Sequence, residues 1–250
     1  MNRASVGLVA LVLGLAALPA ASTLAAGKHP DLSGFWNLSR GKPVKDAALA
    51  ARIAPNTVVL EDVGPVEYGL MEFGGLKLKP AALERAKNWN IKDELTVANA
   101  CKIPSIVYAM QGPFPIEIFQ GTEFTVIRLE YYDMTRVIFT DGRGHLPPDG
   151  PHTKTGDSIG HWEGDTLVVE TTHLKESTIT NNGLDHSQNL TLTERFRLSR
   201  DRKQLLSTQE FADPEILDNR GARFITWNRV EGDHVHAYDC DPTFGEAYAE

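Results

Sequence analysis

Five of the eight histidines fall in one stretch of the chain: His145, His152, His161, His173 and His186. Imidazoles titrate near neutrality, so such a stretch is where proton transfer is sought first. His145 follows Asp141-Gly142-Arg143 in a loop after a candidate strand, a favourable place for an acid/base group on a rigid scaffold. We assign His145 the proton, Glu194 or Glu130 the role of its carboxylate partner, and Arg143 or Arg195 the holding of an anionic group. Arg128, His161, Glu170 and His173 join Arg195 as candidate substrate contacts. The carboxylates are chosen by alternation. Over residues 189–198, Glu194 shares a face with Leu190, Leu192, Phe196 and Leu198, while Thr191, Thr193, Arg195 and Arg197 occupy the other. A carboxylate on an apolar face must find a partner or change its pKa. Arg128 and Glu130 continue the Phe124 face, Glu170 lies on the Val168 face, and His173 lies on the Leu167 face. A lined pocket and a structural ion-pair network both explain this pattern, because period two does not say which face is inside.

Other chemistries fit the residue spacing less well. No histidine pair within the stretch has helical i, i+4 spacing, and there is no zinc-type Cys/His cluster. His234 and His236 share one face of a candidate strand, and an exposed edge strand is the simpler reading of them. Ser158, in Gly156-Asp-Ser-Ile-Gly160, has the outline of a nucleophile elbow, but that turn leads from a strand into a helix and the pattern here is β on both sides. No glycine-rich nucleotide loop follows a strand. We therefore expect no cofactor, while leaving a metal open. The expected activity is a lyase reaction, elimination or decarboxylation, on a small aromatic or related organic molecule. A small-ligand binding protein of the cell envelope, a hydrolase, and a structural envelope protein are the alternatives.

The elements that must position these groups are mostly strands. From Pro115 onward the pattern has period two, with candidate strands at 116–120, 123–130, 135–140, 158–162, 166–173, 189–198, 204–211, 223–230 and 234–238. Asp141-Gly142, Glu163-Gly164-Asp165, Asp213-Pro214 and Glu231-Gly232-Asp233 punctuate them. Trp162-Glu-Gly-Asp-Thr166 reads as a hairpin in which Gly164 supplies a positive φ. The expected fold is mainly β: an antiparallel meander forming a closed or partly open barrel, lipocalin-like in outline, with a β sandwich as alternative. Phe35 to Leu38 is a further short strand, Pro43 to Ile53 is helix-capable, and Lys79-Pro80 starts a helix that Trp89 to Leu95 extends. Residues 27–112 are expected to form a mixed helical and irregular part packing on the 113–250 meander, all within one domain at 27–250.

Residues 1–26 read as a secretory signal. Met1-Asn2-Arg3 gives a positive start, an apolar run spans Val6 to Leu18, and small residues follow Pro19. The run falls short of the roughly 20 residues a spanning helix needs. The expected location is periplasmic or secreted, with no membrane association after cleavage. The net charge is −8, from 33 acidic and 25 basic residues, a poor match to nucleic acid. The expected partner is a small molecule, and nothing in the sequence fixes an oligomeric state. In an oxidising compartment the two cysteines, Cys101 and Cys240, are expected to form one disulfide.

Gly156-Asp-Ser-Ile-Gly-His-Trp-Glu-Gly-Asp-Thr-Leu-Val-Val-Glu-Thr171 resembles the signature of a large family of exported, mostly uncharacterised bacterial proteins. Asp141-Gly-Arg-Gly-His145 and His186-Ser-Gln-Asn-Leu-Thr-Leu-Thr-Glu-Arg195 look like its flanking elements, and Pro30-Asp-Leu-Ser-Gly-Phe-Trp36 is similar to its mature start. The resemblance covers most of the chain after residue 26. It implies export and no particular activity. Asp157 departs from the histidine or other polar residue common there, and the segment after Asp213 is less typical.

Overall fold

Alternating side chains resolve into twelve strands in the computed structural model, which describes residues 29–248. They are β1 (Gly34–Leu38), β2 (Thr57–Leu60), β3 (Ile116–Gln120), β4 (Phe124–Leu129), β5 (Thr135–Phe139), β6 (Asp157–Glu163), β7 (Thr166–Thr172), β8 (Ser177–Thr180), β9 (Leu184–His186), β10 (Thr191–Leu198), β11 (Gln204–Ala212) and β12 (Arg220–Val230). The signal expected over residues 1–26 lies outside the described residues.

Nine strands close into a barrel in the order β1-β3-β4-β5-β6-β7-β10-β11-β12, with β1 returning to β12. That closure realises the expected barrel and removes the sandwich alternative. The sheet is mixed: β5 and β6 run parallel through Ile138↔Ser158 and Phe139↔Ile159. Parallel neighbours need a long crossover, and residues 140–156 supply one. The long β12 serves two partners along one edge, pairing β1 through its C-terminal half (Leu38↔Trp227, Phe35↔Val230) and β2, in parallel, through its N-terminal half (Arg220↔Thr57, Arg223↔Leu60). β8 and β9 form a separate ribbon between β7 and β10.

Register decides which face is inside. Opposed pairs Leu192↔Phe211, Glu194↔Gln209 and Phe196↔Ser207 put Glu194 in the interior with its apolar neighbours. The same core contains Trp36, Ile127, Ile138, Val169, Ile225 and Trp227, all essentially inaccessible. Each such side chain contributes roughly 1.5–3 kcal/mol by burial. The N-terminal part packs on the barrel and supplies β1 and β2 to the sheet.

Short helices plug the remaining surface. In α1 (Ala47–Ala50) the Asp46 side chain caps Leu49 N at 3.0 Å, and Leu49 is buried against Leu206 and Phe224 outside the barrel. The expected helix α2 (Pro80–Lys87) begins with Pro80, whose missing N–H costs nothing in a first turn. It stops at Asn88. The Trp89–Leu95 extension is instead a separate turn, α3 (Ile91–Glu94), because Asn90 caps Lys92 N and restarts the helix. A further short helix, α4 (Ile106–Ala109), is buried on three of its residues.

The expected strand at 234–238 is not a strand and pairs with no neighbour. Carboxylates satisfy its backbone: Glu130 Oε2 accepts from His236 N and Asp133 Oδ1 from Tyr238 N, each at 3.0 Å. The chain then reaches Cys240, which is disulfide-bonded to Cys101 across a sequence separation of 139. Among the described residues, no helix is long and apolar enough to cross a membrane.

Candidate functional site

The crossover between β5 and β6 carries His145 to the barrel end where β6 begins and β7 finishes. Gly156 makes the entry possible. Its φ is +67°, and a Cβ there would lie 2.6 Å from both Thr171 Cγ2 and Thr172 O, so only glycine fits. The next residue, Asp157, turns its carboxylate onto the loop. Asp157 Oδ2 lies 2.7 Å from His145 Nδ1 and accepts the Leu146 N–H at 2.9 Å. The Asp157 side chain is 11 % exposed and that of His145 24 %.

The neighbours of this pair fix the tautomer. His173 Nε2 lies 2.9 Å from the Pro147 carbonyl, which only accepts, so in neutral His173 the proton is on Nε2. His173 Nδ1 then accepts from Thr172 Oγ1 at 2.8 Å. With its proton so committed, Thr172 Oγ1 presents only lone pairs to His145 Nδ1, 3.3 Å away. Both groups facing His145 Nδ1 are acceptors, so Nδ1 carries the proton and Nε2 keeps a free lone pair. His173 holds this position with φ 55°, in the left-handed region, and His152 lies beside it with ring centroids 5.2 Å apart. A non-glycine residue held there is backbone strain next to the candidate acid/base pair.

The other expected site residues lie elsewhere, and the structure corrects their roles. Glu194 does not reach His145. It is fully buried in the barrel and faces Arg136, also fully buried, with Oε2 2.5 Å from Nη1. Arg136 further donates to Ser158 Oγ (3.2 Å) and Thr171 Oγ1 (2.8 Å), and those two hydroxyls meet at 2.9 Å. The ion-pair network, not the pocket, explains the charge on this apolar face. Ser158 is thereby interior and unavailable as a nucleophile. Glu130 binds the C-terminal segment rather than His145. Arg143 is exposed, gripped by Asp141 through Nε and Nη2, and lies over the Phe139 ring at 3.7 Å. Those hydrogen bonds hold the Asp141 carboxyl below its ordinary range. Arg128 pairs with Glu117 at 3.8 Å, and Arg195 with Glu210 at 3.6 Å, both on outward faces. Glu170 is exposed, and His161 is exposed beside Glu163 at 3.1 Å. Of the expected set, His145 and His173 come together.

Asp157 and Thr172 complete the constellation and were not anticipated. Their only sequence signal is position: an acid opening one strand and a hydroxyl ending its hairpin partner, opposed as Asp157↔Thr172. A second buried pair lies at the same barrel end. Ser105 Oγ is 2.7 Å from His186 Nε2, His186 Nδ1 donates to Ser187 O at 2.8 Å, and both side chains are inaccessible. Among the described residues, no group of three or more His, Cys, Asp or Glu side chains is placed to hold a metal ion. No protein-family model matches the chain, and no curated protein matches it.

Proposed function

We propose that the chain is an exported acid/base enzyme of lyase type, acting on a small aromatic or related organic molecule, with His145 as proton carrier and Asp157 as the carboxylate that orients it. What carries this reading is the 2.7 Å contact between Asp157 Oδ2 and His145 Nδ1. Asp157 holds the ring so that Nε2 faces outward as a base, and it stabilises the imidazolium formed when Nε2 takes a proton. For an elimination, Nε2 removes the proton beside an electron-withdrawing group and the leaving group departs from the neighbouring carbon. The protonated ring then gives that proton to the leaving group or to water, which restores the neutral base. The Cys101–Cys240 bridge supports an oxidising compartment, periplasmic or extracellular, as the working location.

The test is hydrogen exchange. The protein is incubated in D2O with a panel of small aromatic acids and ketones carrying acidic C–H bonds, and deuterium incorporation and product formation are followed by NMR. His145→Gln and Asp157→Asn are expected to lower the rate on the order of 10²–10⁴-fold. Full activity in His145→Gln removes His145 from the mechanism. A binding protein without turnover is the second reading, favoured by the large groove at the same barrel end; it predicts affinity and no exchange in any variant.

A further inference from the structure

A groove of about 1050 Å³ opens at the barrel end that carries His145, against α4, the β8–β9 ribbon and the disulfide. It is at the upper limit of the size usual for small-molecule sites. One wall is aromatic. Tyr131 and Tyr132 have centroids 4.7 Å apart, Tyr132 and Tyr238 4.7 Å, and Tyr131 and Tyr238 5.5 Å, with Tyr108 behind Tyr131 at 6.5 Å. The wall is held under strain. Tyr132 and Asp133 are both in the left-handed region, at φ 54° and 52°, and Asp133 pins Tyr238 through its backbone N–H. Two successive non-glycine residues in that region are uncommon.

The other wall carries a half-buried cation. Lys154 Nζ donates to the Glu176 carbonyl and to Ser177 Oγ, each at 3.1 Å, and both acceptors are neutral. An ammonium has three donors, so one is left for a ligand. Lys102 and Lys175 also line the groove but are exposed, as are its carboxylates Glu176, Asp185, Asp239 and Asp241, while Glu94 is half-buried, so water screens most of these charges and Lys154 is the half-buried cation among them. Burial, with the two neighbouring lysines, pushes the Lys154 ammonium below its ordinary range, against the weaker opposing pull of Asp185 and Glu176. Burial pushes the Tyr108 and Tyr131 hydroxyls up, so they stay neutral. Lys154 is also tied to the acid/base cluster by the chain itself. Its neighbour Thr153 donates its N–H to His173 O at 3.0 Å and accepts from Lys175 N at 2.7 Å.

We propose that this groove binds an aromatic carboxylate, with the ring against Tyr131, Tyr132 and Tyr238 and the carboxylate on Lys154 Nζ. This names the substrate class for the neighbouring acid/base pair; it rests on that reading for turnover, and the binding stands apart from it. A planar ring gains by stacking and edge contacts with tyrosines, and a carboxylate gains most where a cation is partly desolvated. A neutral or saturated analogue loses one half of the recognition each.

Isothermal titration of the full chain with 2-naphthoate, 2-naphthalenemethanol and decalin-2-carboxylate reads the two halves separately. The naphthoate is expected to bind at least about tenfold more tightly than either analogue, the discrimination a charge-assisted hydrogen bond supplies. Lys154→Met is expected to abolish the preference over the alcohol while keeping the alcohol's affinity, and Tyr132→Leu to abolish the preference over the saturated acid. Absence of naphthoate binding, or an unchanged preference in Lys154→Met with its circular dichroism intact, overturns the proposal. The same titration in His145→Gln separates the two readings. Retained binding with no exchange in any protein leaves the groove standing and sinks the catalytic reading, whereas His145-dependent exchange that Lys154→Met leaves untouched sinks the groove as the substrate site of that pair.

Discussion

Arg136 on β5 and Glu194 on β10 meet inside the barrel, Nη1 to Oε2 at 2.5 Å, with neither side chain reached by water. The approach is off the N–H axis, and neither Glu194 oxygen accepts a well-directed hydrogen bond. Such a pair is a weak source of stability but a strong liability when halved. Glu194→Gln or Arg136→Met alone is expected to cost about 3–5 kcal/mol in urea unfolding, because an uncompensated charge or unpaired polar group is left buried. The double variant Arg136→Met/Glu194→Leu is expected to recover most of that loss. A single variant as stable as the wild type contradicts the assignment.

The tautomer of His145 is accessible to nitrogen NMR. In the wild type above the imidazole pKa, Nδ1 is expected to carry the proton and Nε2 to show the shift of an unprotonated nitrogen. Asp157→Asn is expected to raise the protonated-Nε2 population, since the amide can turn its NH2 toward Nδ1. An Nε2-protonated ring in the wild type would refute the role given to Asp157.

Stability is expected to fall with acid through His186. Burial holds its imidazole below the usual value of 6.5, against the opposing pull of the Ser187 carbonyl and the Asp213 charge. The neutral ring is therefore favoured in the fold, and the unfolded chain binds the proton first. The stabilisation is fully present above pH about 6.5 and is lost as pH drops from there toward the lower folded value. The urea midpoint is expected to decline between pH 7.5 and 5, and the decline to be shallower in His186→Asn. Equal slopes in the two proteins would show that other groups carry the acid response.

Reducing the Cys101–Cys240 bridge is expected to lower the melting temperature without dissolving the barrel core, which it does not cross. Cross-linking residues separated by 139 positions stabilises by up to roughly 4–5 kcal/mol in the chain-entropy picture. Cys240→Ser is expected to lose a comparable amount, and to loosen the groove by freeing the segment that carries Tyr238. A melting temperature unmoved by reductant would show that the bridge constrains little.

The positions of most barrel strands could be read directly from the residues. Ile116 to Gln120 matches to the residue, Thr166 to Thr172 within one, and Gly164 turns between β6 and β7 with φ +62°, as its hairpin requires. Pro80 opens its helix for an equally local reason. These are properties of neighbours along the chain: alternation, a missing N–H, a positive φ. β2, β8 and β9 leave no periodic signal, because each is four residues or fewer and takes its partner from far away or from its own short ribbon.

Glu194 shows where such reading ends. Its place on an apolar face was plain, and so was its need for a partner. That the partner is Arg136 rather than His145 followed only from closure, which turned that face inward and brought β5 and β10 across from each other. His145 was likewise chosen by its loop, but Asp157, 12 positions on, became its partner through the parallel β5–β6 crossover. Alternation assigns side chains to two faces; the long-range pairings that close the sheet decide which face loses its water, and therefore which charges must pair and which stay free for chemistry.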